Sequence, residues 1–167
     1  TNLAQKRAEE IHLTKPVAGQ ILEDVSSRVG LYTVPNRPAY EEQFVVKAAL
    51  KGESHLAAYG VELWYDDRAV EFLGVIPPAG EESLFGILKQ EPGRIWLGGS
   101  SLKGTSKEGI TLARFQFRLI SKLTTGSLAS VTELIVEDNR GQIRRVATRD
   151  DLELRPSNFV LLPNYPN

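Results

Sequence analysis

A chain of 167 residues is the size of one ordinary domain, and its 41% hydrophobic and 25% charged residues are typical of a soluble globular protein. Its 20 basic and 21 acidic residues are well mixed and give a net charge of -1, which argues against a nucleic-acid partner or an anionic membrane. The chain has no Cys for a disulfide framework and no apolar run of about 18 residues that would span a membrane.

Residues 1–27 form the first segment, for which the sequence predicts a linker or a short helix followed by a lead-in. The apolar residues at roughly helical spacing are Leu3, Ala4, Ala8 and Ile11. Pro16 ends that pattern, because proline cannot continue a helix interior.

From Arg28 onward the apolar period changes to two, which predicts strands. The predicted strands are 28–34, 42–50, 59–65, 69–75, 94–97, 111–120, 128–136, 142–146 and 152–154. Their shortness and the turn signals between them predict an all-β fold, an antiparallel β-sandwich or jelly roll of about eight or nine strands. One short helical crossover is expected at 81–90.

Several segments of 28–155 resemble cohesin modules in the order of their turns and core residues. Tyr65 and Asp66 end one strand at a tight turn, and Val70-Glu71-Phe72 follows as an aliphatic-Glu-aliphatic strand. The stretch 109–117 resembles the segment of cohesins in which a Gly and apolar residues lead into a Phe-x-Phe strand. Thr125-Gly126 then opens the next strand, also as in cohesins. One departure is Asp67, where cohesins often carry Pro, although Asp also favours tight turns.

The cohesin resemblance implies a non-catalytic protein-interaction module. A cohesin binds a dockerin, a small helical module on another protein that carries its own calcium, through one exposed sheet face. In this chain the expected outward residues of that face are Glu62, Trp64, Arg94, Trp96, Arg114, Gln116, Arg118 and Arg144. Aromatic and Arg side chains are enriched at protein interfaces, which fits this role.

Two alternatives to protein recognition remain open at the level of sequence. A carbohydrate-binding module would use Trp64 and Trp96 as a platform for the rings of a polysaccharide. A structural spacer would bind nothing. Two tryptophans in register on one face would favour sugar, whereas one tryptophan surrounded by mixed charge would favour protein.

The sequence gives no support for an enzyme, a metal site or a cofactor. The two histidines, His12 and His55, fall in the N-terminal segment and in a predicted loop, and no Gly-x-Ser-x-Gly motif is present. The paired acidic residues are adjacent on the chain, so neighbours within a strand would point to opposite faces rather than across a cleft.

The C-terminal segment 156–167 resembles the start of a bacterial export signal. An apolar lead at 159–162 precedes Asn164, Tyr165, Pro166 and Asn167, as at the opening of the C-terminal sorting domain of type IX secretion substrates. The resemblance implies a linker to a missing sorting domain and an extracellular or cell-surface location.

Overall fold

The computed structural model describes residues 21–53, 55–76, 84–103, 109–122, 126–148 and 151–153. Within these residues it has eleven strands: β1 Ile21–Asp24, β2 Arg28–Val34, β3 Gln43–Lys51, β4 His55–Tyr65, β5 Val70–Ile76, β6 Leu84–Glu91, β7 Arg94–Lys103, β8 Ile110–Leu119, β9 Ser127–Glu137, β10 Ile143–Val146 and β11 Asp151–Glu153. The all-β prediction is confirmed. A search of the described residues finds no helix long and apolar enough to cross a membrane.

The strands form two sheets. The seven-stranded sheet, called here the large sheet, has the order β1-β10-β9-β4-β7-β6, with β11 also pairing with β9. The four-stranded sheet, called here the small sheet, has the order β2-β3-β8-β5. The β1–β10 pairing is parallel, and the other described pairings are antiparallel.

Alternating side chains of both sheets build the core between them. On β4 the inward residues are Tyr59, Val61, Leu63 and Tyr65, which are 0 to 5% exposed and confirm the predicted alternation of this strand. Burying each such side chain contributes about 1.5–3 kcal/mol.

Phe117 of β8 is the centre of an aromatic cluster within this core. Its ring centroid lies 5.9 Å from that of Phe44, 5.3 Å from that of Tyr65 and 5.6 Å from that of Phe72. The cluster joins both sheets, since Tyr65 belongs to the large sheet and the other three belong to the small sheet.

Two strands were absent from the sequence prediction. The short helical crossover expected at 81–90 is wrong in its described part, because Leu84–Glu91 pairs with β7 as the edge strand β6. Phe85 and Ile87 of this strand pack against the core, and a register shift follows Ile87. The second addition, Ile21–Asp24, extends the sandwich to the N-terminal side of Arg28.

Asp138 shapes the hairpin that joins β9 to β10, the strands predicted at 128–136 and 142–146. Its Oδ1 accepts hydrogen bonds from the backbone N–H groups of Arg140 at 2.8 Å and Gln142 at 3.0 Å. Slight burial would raise the pKa of Asp138, but these two hydrogen bonds and the charges of Arg144 and Arg140 hold that pKa below its usual value. The predicted N-terminal helix and C-terminal sorting linker lie outside the described residues.

Candidate protein-interaction face

Four of the predicted interface residues meet on the outer side of the large sheet. Glu62 and Trp64 lie on β4, and Arg94 and Trp96 lie on the neighbouring β7. Glu62 is opposite Trp96, and Trp64 is opposite Arg94. Directly opposite residues of an antiparallel pair place their Cβ atoms about 4.5–5.5 Å apart. The four side chains therefore form one block.

The strands on either side extend this block into a wider surface. Lys89 and Glu91 of β6 lie opposite Trp96 and Arg94, while Glu133 and Ser130 of β9 lie opposite Glu62 and Trp64. We define the docking face as Glu62, Trp64, Lys89, Glu91, Arg94, Trp96, Ser130 and Glu133. The sequence prediction missed Lys89 because it assigned 81–90 to a crossover rather than to an edge strand, and it missed Glu91 because that residue fell between the crossover and the strand predicted at 94–97.

Two cations lie over the indole of Trp96. The Nζ of Lys89 is 5.1 Å from the ring centroid, and the Cζ of Arg94 is 5.6 Å from it. Contacts of this geometry contribute about 0.5–1 kcal/mol at exposed sites. Trp64 is diagonal to Trp96 rather than directly opposite it. The two indoles are therefore out of register, and Trp96 is flanked by charge.

The orientation of Glu62 is set by a bulge in β9. The pairing of β4 with β9 shifts between Glu62 and Leu63, so Thr132 is the extra residue on β9. The hydroxyl of Thr132 donates to the Glu62 carboxylate and also approaches the Glu62 carbonyl oxygen at 3.3 Å. The bulge thus holds an acidic group at the centre of the docking face.

A shallow concavity adjoins the docking face where β4 ends. It has a volume of about 530 Å³ and is lined by the turns at 66–68 and 92–93 together with Trp64, Glu91 and Arg94. The Asp66 Oδ1 accepts a 3.0 Å hydrogen bond from the N–H of Arg68, which fixes the first of these turns. The concavity gives the flat sheet a recess that a partner side chain can enter.

Three other predicted interface residues lie on the opposite side of the sandwich. Arg114, Gln116 and Arg118 point outward from β8, which pairs with β3 and β5 in the small sheet. The expectation that they share one face with Trp64 and Trp96 is therefore wrong. The alternation within β8 was predicted correctly, but alternation does not say which sheet a strand joins.

Arg144 faces the inner side of the large sheet. It is opposite the buried Val136, whereas its neighbour Arg145 is opposite the outward-facing Ile135. The side chain of Arg144 is 15% exposed and forms ion pairs with Asp24 and Glu53. The outward arginine of β10 is Arg145, which pairs with Glu23 at 3.0 Å. The predicted register of this hairpin strand was wrong by one residue.

Asp24 anchors β1 beside β10 through the same network. Its Oδ1 accepts hydrogen bonds from the backbone N–H groups of Ser26 at 2.9 Å and Ser27 at 3.0 Å. Burial would raise the pKa of Asp24, but the hydrogen bonds from Ser27 and Ser26 outweigh it and lower this pKa to about 2. The carboxylate is therefore charged at neutral pH and available to Arg144.

Solved structures of cohesin modules share this fold. A cohesin module from a family 33 glycoside hydrolase of Clostridium perfringens ATCC13124 is 11% identical, with a TM-score of 0.59 over 78% of this chain and 96% of that one. The second type II cohesin of the adaptor ScaA scaffoldin of Acetivibrio cellulolyticus is 13% identical, with a TM-score of 0.60 over 84% and 97%. The type II cohesin–X-dockerin complex from the same organism gives 12% identity and a TM-score of 0.59 over 78% and 100%.

At these identities the likeness concerns the fold. No protein-family model matches the sequence, and no curated protein matches it either. Among the described residues, no group of three or more His, Cys, Asp or Glu side chains is placed to hold a metal ion.

Proposed function

We propose that this domain is a non-catalytic protein-interaction module that binds a dockerin-type partner through the docking face. The observation that carries the proposal is the block formed by Glu62, Trp64, Arg94 and Trp96 on adjacent strands of a cohesin-like sandwich. Support also comes from the fold neighbours that were solved in complex with dockerins.

The chemistry of the docking face suits a polypeptide surface. Trp64 and Trp96 are the apolar anchors, and aromatic residues are enriched at the centres of protein interfaces. Around them stand Glu62 and Glu91 with Lys89 and Arg94, so this face presents charges of both signs that can fix the orientation of a partner. A standard interface of about 1,600 Å² in total would cover this face.

A sugar platform is the weaker alternative. Sugar rings stack on open indole faces, whereas Trp96 has Lys89 and Arg94 over its ring. The two tryptophans are also diagonal rather than directly opposite each other, so they do not have the in-register arrangement that would favour sugar. Mixed charge around the indole is the arrangement that favours protein recognition.

The proposed setting is a larger exported protein. The match of Asn164, Tyr165, Pro166 and Asn167 to the opening of a type IX sorting domain supports secretion or display at the cell surface. In that setting 28–155, preceded by β1, would be the interaction module and 156–167 the linker to the sorting domain.

The test is affinity capture of the source organism's secreted proteins on the immobilised domain. We expect a retained protein that carries a small calcium-loaded helical module, which is released by EDTA and is not captured by the Trp96→Ala variant. Gln116→Ala is the matched control, because Gln116 lies on the outer side of the other sheet.

Three results would contradict the proposal. They are capture of nothing by the unmodified domain, capture that survives EDTA, and equal loss of capture in both variants. If the unmodified domain instead bound glycans on an array, and Trp96→Ala abolished that binding, the carbohydrate alternative would replace it.

A further inference from the structure

The outer side of the small sheet is strongly basic. Five cationic side chains project from it, namely Arg28, Lys47, Lys51, Arg114 and Arg118. Among the outward residues of its described strands the one acidic group is Glu71, which pairs with Arg118 at 3.2 Å. The whole chain has 20 basic and 21 acidic residues, so this concentration of positive charge is local. We call these five cations with Tyr32 and Val34 the basic face.

Like charges lie directly opposite each other twice on the basic face. Arg28 is opposite Lys51 in the β2–β3 pair, and Lys47 is opposite Arg114 in the β3–β8 pair. Within the described part of the chain, neither Lys47 nor Arg114 has an acidic partner. Directly opposed like charges destabilise a sheet. The folded domain therefore retains a repulsion between like charges, and binding of an external anion would relieve it.

The cations are spread along the sheet rather than clustered at one point. The two opposed pairs are four residues apart on β3, from Lys47 to Lys51, and Arg118 lies four residues beyond Arg114 on β8. At about 3.3 Å per residue, successive levels are about 13 Å apart. A ligand that contacts all three levels must be an elongated polyanion rather than a single small anion.

Apolar groups between the cations favour a polypeptide as that polyanion. Val34 is 63% exposed and Tyr32 is 43% exposed, and both belong to the same outward row of β2. The ring of Tyr32 has the Nζ of Lys51 at 5.7 Å from its centroid, so it is not an open surface for stacking a base or a sugar. Exposed Tyr is enriched at protein interfaces, and Val34 adds an apolar group that a polypeptide segment can cover.

We propose that the basic face is a second interaction surface, which binds an acidic polypeptide segment of a partner protein. Contact with acidic side chains would neutralise the Lys47–Arg114 and Arg28–Lys51 pairs, while Val34 and Tyr32 cover apolar atoms of the segment. This surface lies on the opposite side of the sandwich from the docking face, so both can be occupied at once. The proposal does not depend on dockerin recognition.

Binding of two fluorescent probes tests the proposal: poly-L-glutamate and a random Glu–Tyr copolymer. At about 50 mM salt we expect both to bind, and the Lys47→Gln/Arg114→Gln double variant to weaken binding about tenfold or more. The matched control is Lys89→Gln/Arg94→Gln. It also removes one Lys and one Arg charge, but from the docking face, and it should leave the affinity for both polymers unchanged. Val34→Ser should weaken binding of the Glu–Tyr copolymer more than binding of poly-L-glutamate.

Other results would overturn the proposal. The first is the absence of binding to either acidic polymer, and the second is equal loss of affinity in the two double variants. Tighter binding of heparin, DNA or phosphatidylserine vesicles, lost in the Lys47→Gln/Arg114→Gln variant, would assign the face to a different polyanion. Salt-sensitive self-association of the domain in sedimentation, lost in that same variant, would assign it to a second copy of the chain. Circular dichroism of each variant separates loss of binding from loss of folding.

Discussion

The hydroxyl group of Tyr59 donates a hydrogen bond to the carbonyl oxygen of Leu112, and this bond joins the large sheet to the small sheet through the core. Leu112 is the residue that a register shift leaves out of the pairing between β8 and β3, where Ala48 is opposite Ala113 and Ala49 is opposite Thr111. Tyr59 is fully buried, and burial raises the pKa of its hydroxyl. The group therefore stays protonated and remains a donor at neutral pH.

Tyr59→Phe is expected to lower the free energy of unfolding by about 1–3 kcal/mol, because it leaves the buried carbonyl of Leu112 without this donor. The control is Tyr65→Phe. Tyr65 is 5% exposed, and its hydroxyl has no hydrogen-bond partner in the described part of the chain. Urea unfolding at neutral pH measures both variants. An equal loss of stability in the two would show that the Tyr59–Leu112 bond has no particular role.

Gly99→Ala is expected to destabilise the domain by about 1–3 kcal/mol through overpacking. A Cβ atom at Gly99 would lie 2.4 Å from Cε1 of Tyr59, whose ring is enclosed by the core. A double-mutant cycle with Tyr59→Val provides the check. Since the smaller side chain frees space, Gly99→Ala should cost clearly less in that background. If the losses of stability from the two substitutions were additive, the cost of Gly99→Ala would come from the strand backbone rather than from contact with Tyr59.

The core of the large sheet could be predicted because its residues alternate cleanly. On β4, Tyr59, Val61 and Leu63 are apolar and buried, while Glu62 and Trp64 alternate with them on the outer side. A period of two with one apolar face determines the register of such a strand. Half of the candidate docking face followed from this pattern.

The orientation of β10 could not be predicted in the same way. Its sequence places Arg144 and Arg145 between Ile143 and Val146, so both faces carry one aliphatic and one basic residue. Local pattern then gives no preference between the two registers. The ion pairs of Arg144 with Asp24 and Glu53 are long-range contacts, and they are visible only once the sheets are assembled.

The assignments of β6 and β8 failed because they depend on which strands each one pairs with, and the residues of a single strand do not specify that. Leu84, Phe85, Ile87 and Leu88 have a spacing that suits a helix as well as a strand. Pairing with β7 decides in favour of a strand, as tertiary context often does. For β8 the inward and outward residues were correct, and the error concerned only the sheet that β8 joins.

Asp24→Asn is expected to lower the free energy of unfolding at neutral pH by about 2 kcal/mol, because it removes a charged hydrogen-bond acceptor from Arg144 and Ser27. The control is Glu23→Gln, whose carboxylate belongs to an exposed pair with Arg145 and contributes at most about 1 kcal/mol.

The same substitution should change how stability depends on pH. The pKa of Asp24 is lowered from 3.8 to about 2 on folding, so its contribution is complete above the unfolded value of 3.8. That contribution is lost as the pH falls from 3.8 towards 2, because the unfolded chain takes up the proton first. Urea midpoints measured across this window should converge for the unmodified domain and Asp24→Asn. A constant difference between them would contradict the assigned role of the carboxylate.

Lys47→Gln is expected to stabilise the domain, in contrast to most substitutions. It removes the charge that faces Arg114 across β3 and β8, and directly opposed like charges cost about 0.2–1 kcal/mol. The gain should be largest at low ionic strength and shrink at about 1 M salt, where the screening length falls to about 3 Å. Lys89→Gln on the docking face is the control, because Lys89 lies over Trp96 and its loss should not stabilise. A gain of equal size in both variants would trace the effect to net charge, whereas a gain confined to Lys47→Gln would show that the basic face retains charge at a cost to stability.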